Sequence, residues 1–199
     1  METPQKHIVI LIPGLGDNFQ WIKFLIGNWE RKHGLIARFH VMPWQGDEHE
    51  FEPKLQRLLG DIDSHLENGD KVSLVGLSAG GSAVINAFAL RSDKILKVVN
   101  VCGRLRAGED VSALSGIVGK TSFSFIKSVL RCEEVLKSLS TKQKQKILTI
   151  RPFYDEIVPV STVTIEGAKN IQINSIEHVL SIGLALSLYS RKIIDHLFM

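Results

Sequence analysis

Serine, aspartate and histidine, which together can perform nucleophilic catalysis, occur in that order along this chain. Ser78 is the middle residue of the pentapeptide Gly-Leu-Ser-Ala-Gly at residues 76–80. Asp155 opens the segment Asp-Glu-Ile-Val-Pro, and His178 follows a Ser-Ile-Glu tripeptide. A histidine can deprotonate a serine hydroxyl while a carboxylate orients the imidazole and stabilises its cation. The sequence therefore predicts a nucleophilic relay, provided that the fold brings the three side chains together.

The residues around Ser78 predict a tight turn between a strand and a helix. A mostly apolar run at residues 72–75 leads into the pentapeptide, and small residues at helical spacing follow it. On such a turn the serine backbone is strained and its hydroxyl is exposed, and a side chain at Gly76 or Gly80 would clash with the neighbouring backbone. The alternative interpretation is a glycine- and serine-rich loop without chemistry.

Short apolar runs alternate along the chain with segments whose apolar residues recur at helical spacing. Strands that are apolar throughout are typical of parallel sheets, which are buried on both faces. The alternation predicts an α/β fold, a three-layer sandwich with a mostly parallel sheet of about six strands. The predicted strands are residues 8–12, 39–42, 72–76, 98–102, 147–151 and 171–173. One helical stripe extends from Trp21 to Trp29, and a single last helix from about Val179 to Leu197.

The segments that follow the predicted strands carry the polar groups of interest. Parallel sheets bind ligands at the carboxyl ends of their strands. Ser78, Asp155 and His178 each follow a predicted strand, so we expect them to meet at this edge. The glycine-rich segment at residues 13–18 would either aim backbone N–H groups at a developing oxyanion or serve as a simple turn. It does not complete the Gly-x-Gly-x-x-Gly pattern of a dinucleotide loop, and we expect no cofactor.

These motifs resemble those of the α/β-hydrolase superfamily, in particular its small single-domain serine hydrolases such as esterases, lipases and thioesterases. The matching stretches are residues 10–16, 76–81 and 155–159 together with His178, so the resemblance extends over almost the whole chain. It implies that Ser78 is the nucleophile, His178 the general base and Asp155 the orienting acid. It also implies an oxyanion hole formed by the backbone N–H groups of Ala79 and Leu15.

The chain departs from the superfamily's pattern in its first loop and in its size. Pro13-Gly14 stands where many members have His-Gly, and the sequence lacks the N-terminal strands of the eight-stranded fold. We expect a single domain over residues 1–199 with no large cap. Residues 103–146 are expected to form either a small lid or helices packed on the sheet. In the first case Phe123 and Phe125 would line an acyl pocket. Trp44 and Trp21 are candidates for a further substrate-binding wall, with core packing as an equal alternative for Trp21.

Other residues compete for roles at this site. Glu156 is the alternative to Asp155 as the acid, although the Asp-x-x-Val-Pro frame favours Asp155. Ser82 is expected to pack or cap locally, Cys102 to be a small buried apolar residue, and Asp17 to cap a turn rather than bind a substrate amine. The remaining histidines are expected to be structural or exposed because none follows the last strand; they are His7, His33, His40, His49, His65 and His196.

The composition is that of an ordinary globular protein. Of 199 residues, 44% are hydrophobic and 23% are charged, and the formal net charge of +3 is too small to indicate nucleic-acid binding. No apolar run approaches the roughly 20 residues of a membrane span, and the first residues lack the apolar stretch of a signal peptide. Cys102 and Cys132 match no metal-binding spacing, and we expect no metal. We expect a cytoplasmic monomer or homodimer.

A basic segment at residues 104–146 is either a solvated helix face or a mild preference for anionic substrates. Together these observations predict a serine hydrolase that cleaves a carboxylic ester or thioester of a small or medium acyl substrate through an acyl-enzyme. The alternatives are a ligand-binding protein that retains the hydrolase fold without turnover, an acyltransferase and a peptidase. A complete set of serine, aspartate and histidine favours catalysis, because a binding protein does not require it.

Overall fold

The computed structural model of the chain describes residues 5–15, 20–108 and 122–199. Within these ranges six strands form one sheet in the order β2-β1-β3-β4-β5-β6, and every neighbouring pair is parallel. The strands are β1 (His7–Ile12), β2 (Leu35–Phe39), β3 (Lys71–Leu77), β4 (Ile95–Val101), β5 (Ile147–Pro152) and β6 (Lys169–Ile173). This arrangement confirms the predicted α/β class and strand number.

Helices cover both faces of the sheet. They are α1 (Gln20–Ile26), α2 (Trp29–His33), α3 (Glu52–Glu67), α4 (Gly80–Leu90), α5 (Phe123–Ser138), α6 (Thr141–Lys144), α7 (His178–Leu186) and α8 (Ser190–Phe198), with a 3-10 helix at Val160–Thr162. Because β1 lies between β2 and β3, the chain moves one way along the sheet from β1 to β2 and the other way from β2 to β3. Right-handed crossovers then place α1 and α2 on one face and α3 on the other.

Alternate residues of each strand supply two apolar cores. On β1, Ile8, Ile10 and Ile12 belong to the core shared with α3, α4 and α5. Val9 and Leu11 belong to the core shared with α1, α2, α7 and α8. Successive side chains of a strand point to opposite faces, so burial on both faces requires the unbroken apolar run that the sequence shows.

The second strand lies earlier in the chain than the sequence predicted. β2 comprises Leu35–Phe39 rather than residues 39–42. It is an edge strand that pairs only with β1, and most of its residues are only partly buried, so its apolar pattern is weak. Met42, which suggested the later boundary, is buried in the core without belonging to a strand.

Two predicted helices are each divided into two. The stripe from Trp21 to Trp29 is interrupted at Gly27 and Asn28, between α1 and α2. Glycine is a poor helix former because its backbone loses most freedom on ordering. The last helix is interrupted at residues 187–189, where the Ser187 hydroxyl donates to Gly183 O at 2.6 Å. A side chain that bonds a nearby carbonyl competes with the helix pattern.

Residues 103–146 contribute a helix to the core in the part of this segment that the structure describes. α5 packs on α4, where the Ser82 and Ser128 hydroxyl oxygens are 2.7 Å apart and Asn86 Nδ2 donates to Ser128 O at 2.9 Å. This placement corresponds to the second of the two expected arrangements. Residues 109–121 lie outside the described ranges. None of the described helices has the length and apolar character needed to cross a bilayer.

Candidate active site

Ser78 lies between the end of β3 and the start of α4. Its φ is 52°, a left-handed conformation that is strained for any residue except glycine. Two backbone hydrogen bonds hold it there: the Ser78 N–H donates to Val101 O at 3.0 Å, and the Gly81 N–H donates to Ser78 O at 2.9 Å. The turn therefore presents a half-buried serine at the carboxyl edge of the sheet.

Close backbone approach explains the glycines on either side of Ser78. A Cβ atom at Gly76 would lie 2.4 Å from Gly80 O, and one at Gly80 would lie 2.0 Å from Ile12 O. Both distances are far below a van der Waals contact. The predicted clash at these two positions is confirmed, because strand β3, helix α4 and the end of β1 meet without room for a side chain.

The three residues predicted to form a relay are in direct contact. His178 Nε2 is 2.8 Å from Ser78 Oγ, and His178 Nδ1 is 2.8 Å from Asp155 Oδ2. Asp155 follows β5, and His178 begins α7 after β6, so neighbouring strands deliver the two side chains to the same place. The Asp155 side chain is fully buried and that of His178 nearly so, which shields their contact from water.

Hydrogen bonds fix the ionisation of Asp155. Its Oδ1 accepts the backbone N–H groups of Ile157 at 2.9 Å and Val158 at 2.8 Å. Burial acts to raise the pKa of Asp155, but hydrogen bonds from His178, Val158 and Ile157 and the nearby imidazole outweigh it, so this pKa lies below its ordinary value. The carboxylate is therefore ionised at neutral pH and accepts the His178 Nδ1–H. With the Nδ1 hydrogen directed at Asp155, His178 Nε2 is placed to accept a hydrogen bond from the Ser78 hydroxyl.

Two further carboxylates fix the first turn of α7. Both oxygens of Glu156 accept the His178 backbone N–H, at 3.1 and 3.0 Å. Glu177 caps the helix by accepting the N–H groups of Leu180 and Val179, and these bonds hold the pKa of Glu177 below its ordinary value. Glu156 thus contacts the backbone of His178 rather than its ring. Sequence reasoning missed this role, although acidic residues beside a helix start are the signal for it.

The loop after β1 passes beside the serine. A Cβ atom at Gly14 would lie 2.9 Å from Ser78 Cβ and 3.3 Å from Ser78 Oγ, so no larger residue fits there. Leu15 follows directly, and Ala79 is the residue before α4. Among the described residues, no backbone carbonyl accepts from the N–H of either Leu15 or Ala79. Ala79 directly follows Ser78, and Leu15 lines the same cavity as Ser78, so both remain the predicted oxyanion donors.

A cavity of about 280 Å³ opens beside Ser78 and His178. Its wall is largely apolar and comes from the loop after β1, from α1 and from α7. The described lining residues are Pro13, Gly14, Leu15, Trp21, Ile22, Leu77, Ser78, Ile157, His178, Val179 and Ile182. This volume is near the lower end of the range of about 300–1,000 Å³ that is usual for small-molecule sites.

Three of the aromatic residues predicted to bind substrate are not among the described residues of this cavity. Trp44 and Phe125 are buried in the core, where their rings meet edge to face at 5.7 Å. Phe123 is exposed and packs against His49. These three residues belong to the α5 side of the sheet, whereas α1 and α7 on the other face supply the apolar wall through Trp21 and Ile182. The sequence pattern identifies apolar helices but not the face that each one covers.

The competing residues have local structural contacts. The Ser82 hydroxyl donates to Ala79 O at 3.2 Å, and Cys102 is fully buried, with a pKa raised by burial and by the charges of Asp155 and Glu177. Asp17 lies outside the described residues. In the basic segment, Lys127 and Arg131 pair with Glu50 and Glu52. No cluster of three metal-ligating side chains occurs in the described part of the chain.

Solved structures share this architecture over nearly its whole length. Est1E from Butyrivibrio proteoclasticus superposes with a TM-score of 0.70 at 16% identity, covering 97% of this chain and 90% of that one. A structure from the metagenome-derived lipolytic enzymes LipS and LipT gives a TM-score of 0.65 at 14% identity, covering 96% and 91%. The meta-cleavage product hydrolase from Pseudomonas fluorescens IP01 gives 0.63 at 17% identity, covering 96% and 90%.

No protein-family model and no curated protein sequence matches the chain. The structural likeness therefore rests on topology rather than on sequence. A six-stranded parallel sheet carries the serine turn after its third strand, and the aspartate and histidine follow its last two strands. The chain has the α/β-hydrolase fold.

Proposed function

We propose that this protein is a serine hydrolase that cleaves a carboxylic ester or thioester of a small or medium acyl substrate. The observation that carries the proposal is the continuous hydrogen-bonded chain from Ser78 Oγ through His178 to Asp155, with both contacts at 2.8 Å. It begins at a serine on strained backbone and ends at a buried, ionised carboxylate. It also borders an apolar cavity large enough for an acyl group.

The proposed reaction proceeds in two halves. The Ser78 hydroxyl oxygen attacks the substrate carbonyl carbon while its proton passes to His178 Nε2, and Asp155 stabilises the imidazolium. The N–H groups of Leu15 and Ala79 donate to the oxyanion of the tetrahedral intermediate. Collapse expels the alcohol or thiol, which takes the proton from His178. Water then attacks the acyl-enzyme by the same steps and releases the carboxylic acid.

The cavity supports the proposed size of the acyl group. Trp21, Ile22 and Ile182 supply an apolar wall that excludes water from an alkyl chain, and the described lining residues include no aspartate, glutamate, lysine or arginine. We therefore assign the acyl part of the substrate to this cavity and the leaving group to its open side. Esters and thioesters share the acyl part, so both are retained in the proposal.

Labelling with a fluorophosphonate probe tests the nucleophile directly. We expect strong labelling of the wild-type protein, none of Ser78→Ala and a loss of at least about a hundredfold in labelling rate for His178→Ala, because the base is removed. Ser138→Ala, which removes an exposed serine on α5, is the matched control and should label like the wild type. A panel of p-nitrophenyl esters and acyl thioesters would then define chain length and leaving group.

A folded wild-type protein that fails to label would contradict this proposal. It would favour the ligand-binding alternative on the same fold. Labelling that persists in Ser78→Ala would show that another residue is the nucleophile. Product formation that depends on an added alcohol or amine would instead identify acyl transfer, and cleavage of amides in preference to esters would identify a peptidase.

A further inference from the structure

The loop that carries Asp155 and the segment that leads into α7 at His178 expose large apolar side chains, two of which also line the cavity. We call these residues the apolar rim: Phe153, Tyr154, Ile157, Ile176, Val179 and Leu180. Each of the six is exposed. A protein surface normally carries single, scattered apolar residues rather than a group of them. Their grouping on two segments that follow neighbouring strands, with Ile157 and Val179 in the cavity wall, therefore requires an explanation.

The rim is continuous with the interior of the cavity. Ile157 and Val179 belong both to the cavity wall and to the exposed surface, so they stand at its mouth. The two loops leave the sheet side by side, because Pro152 pairs with Ile173 and the Phe153 N–H donates to Ser175 O at 3.0 Å. Apolar side chains therefore stand both in the cavity wall and on the exposed segments beside it.

The charged side chains of these two segments accept hydrogen bonds from groups within the protein. Residues 153–159 and 174–181 contain no lysine or arginine. Their three carboxylates all accept internal hydrogen bonds: Asp155 from the His178 ring, Glu156 from the His178 backbone, and Glu177 from the start of α7. The acidic groups are directed to backbone and ring N–H groups while the apolar side chains face solvent. These two segments therefore carry no lysine or arginine that could bind an anionic lipid headgroup.

We propose that the apolar rim docks on the surface of a neutral lipid aggregate and that acyl chains pass from it into the cavity. This inference rests on the proposed hydrolase function and names the physical form of its substrate. A second copy of the chain or another protein seated on the rim would cover the mouth and separate Ser78 from its substrate. A lipid surface covers the same apolar side chains and also supplies an ester. Binding of this kind scales with the apolar area that is buried.

Sedimentation with neutral phosphatidylcholine vesicles tests the docking step independently of catalysis. Burial of a large apolar side chain corresponds to about a tenfold change in a binding constant. We expect Leu180→Ser to weaken vesicle binding about fivefold and the double variant Phe153→Ser/Leu180→Ser at least about tenfold. Leu130→Ser and Phe123→Ser on α5 are matched controls, since Leu130 is 46% exposed against 54% for Leu180, and Phe123 57% against 66% for Phe153. The controls should bind like the wild type.

Hydrolysis of two esters links docking to activity. We expect the rim variants to hydrolyse dissolved p-nitrophenyl acetate at the wild-type rate, because neither Phe153 nor Leu180 is among the described residues of the cavity wall. Their rate on emulsified tributyrin, a neutral ester with short acyl chains, should fall at least fivefold. If neither the wild type nor any variant cleaves an ester while vesicle binding follows the expected pattern, the proposed hydrolase function is wrong. The docking surface would then still be supported by the binding data.

Three results would overturn the inference. The first is wild-type binding to neutral vesicles that is absent or equal to that of the rim variants. The second is binding that occurs only with anionic lipid and disappears with added salt, which would indicate an electrostatic site elsewhere. The third is self-association of the wild type that the rim substitutions abolish, which would assign the rim to a second copy of the chain.

Discussion

The carboxyl and amino edges of the sheet carry titratable side chains in opposite ways. At the carboxyl edge, Ser78, His178 and Asp155 bond to one another, and the serine that starts the chain of contacts stands on strained backbone. At the amino edge, His196 donates from Nε2 to Lys146 O at 3.0 Å, and Lys146 Nζ donates to Ser92 O and Ile95 O. The three side chains at the carboxyl edge bond to one another, whereas His196 and Lys146 at the amino edge each bond to backbone carbonyls.

This difference indicates that the carboxyl edge is suited to catalysis and that titration at the amino edge concerns stability. At the amino edge burial lowers the pKa of His196 to about 4, and the charges of Lys97 and Lys169 add to this effect. The hydrogen-bond partner described for His196 is a backbone carbonyl, so we expect its titration to affect folding. At the carboxyl edge the proposed reaction moves a proton between partners within hydrogen-bond reach. Coupled side chains and strained backbone together therefore distinguish the candidate active site from a merely buried polar cluster.

The largest expected effect comes from breaking the coupling at the carboxyl edge. Asp155→Asn removes the charge that stabilises the imidazolium and permits the wrong tautomer of His178. We expect kcat for ester hydrolysis to fall by about 10³–10⁴-fold with little change in KM. Asp195→Asn on α8, an exposed position, is the control and should retain wild-type kcat. A loss of less than tenfold in Asp155→Asn would mean that the aspartate does not act through His178.

The second prediction concerns the close approach beneath Ser78. Gly80→Ala places a Cβ atom 2.0 Å from Ile12 O and 2.9 Å from Pro13 O, so backbone must move. We expect the free energy of unfolding in urea to fall by at least about 3 kcal/mol. Gly60→Ala in α3, where a Cβ meets nothing within 4 Å, should instead raise it by about 0.5–1 kcal/mol. Similar unfolding free energies for the two variants would contradict the packing described for the turn.

The third prediction uses the amino edge. Because the folded pKa of His196 lies at about 4, below its ordinary value of 6.5, the stability associated with neutral His196 is fully present above pH 6.5 and is lost as the pH falls toward 4. At pH 5 this loss amounts to about 2 kcal/mol relative to pH 7.5. His196→Gln removes the titrating group. Between pH 7.5 and pH 5 the free energy of unfolding of this variant should therefore decrease by about 2 kcal/mol less than that of the wild type.

The control for this experiment is His33→Gln, since His33 is exposed at the end of α2. We expect it to show the full wild-type pH dependence. Kinetics on a dissolved ester should show no specific change in His196→Gln at pH 7.5, which would separate the two edges. A pH dependence of stability identical in wild type and His196→Gln would show that burial does not suppress protonation there.

The smallest expected effect concerns the backbone of His178. Glu156→Ala leaves the His178 N–H without its carboxylate acceptor, and we expect kcat to fall about tenfold, whereas Glu156→Gln keeps an acceptor oxygen and should retain at least about a third of the activity. Glu177→Ala removes the cap of α7 and should lower stability by about 1 kcal/mol with a smaller effect on kcat. Equal activity losses in Glu156→Ala and Glu156→Gln would assign the effect to charge rather than to positioning.

The sequence was sufficient for the fold class and for the placement of Ser78, Asp155 and His178. β3 and β5 are central strands with almost entirely buried residues, so their ends could be read from the apolar pattern alone. Gly76 and Gly80 added a steric signal for the turn. Each of these signals is local in sequence, and the parallel sheet converts local strand ends into one common edge.

The substrate cavity was predictable only in part: Trp21 was a candidate for its wall and lines it, whereas Trp44, Phe123 and Phe125 are not among its described lining residues. Trp44 and Phe125 are aromatic residues of the kind that line apolar pockets, but they lie in the core on the face that α3, α4 and α5 cover. Trp21 and Ile182 lie on the opposite face, which depends on the strand order and the handedness of the crossovers. The strand order follows from long-range pairing, which residue spacing does not encode. The edge strand β2 was misplaced for a related reason, because one-sided pairing weakens its apolar pattern.

The backbone of Ser78 has a consequence for hydrogen exchange. Its N–H donates to Val101 O at the end of two central strands, where the neighbouring residues Leu77, Ala79 and Cys102 are buried. Exchange of such an amide with deuterated solvent requires opening of the sheet itself, so it should follow global unfolding rather than local motion. The residue that reacts fastest through its side chain would then be among the slowest to exchange through its amide. Occupation of the cavity should leave that slow rate unchanged except through added global stability.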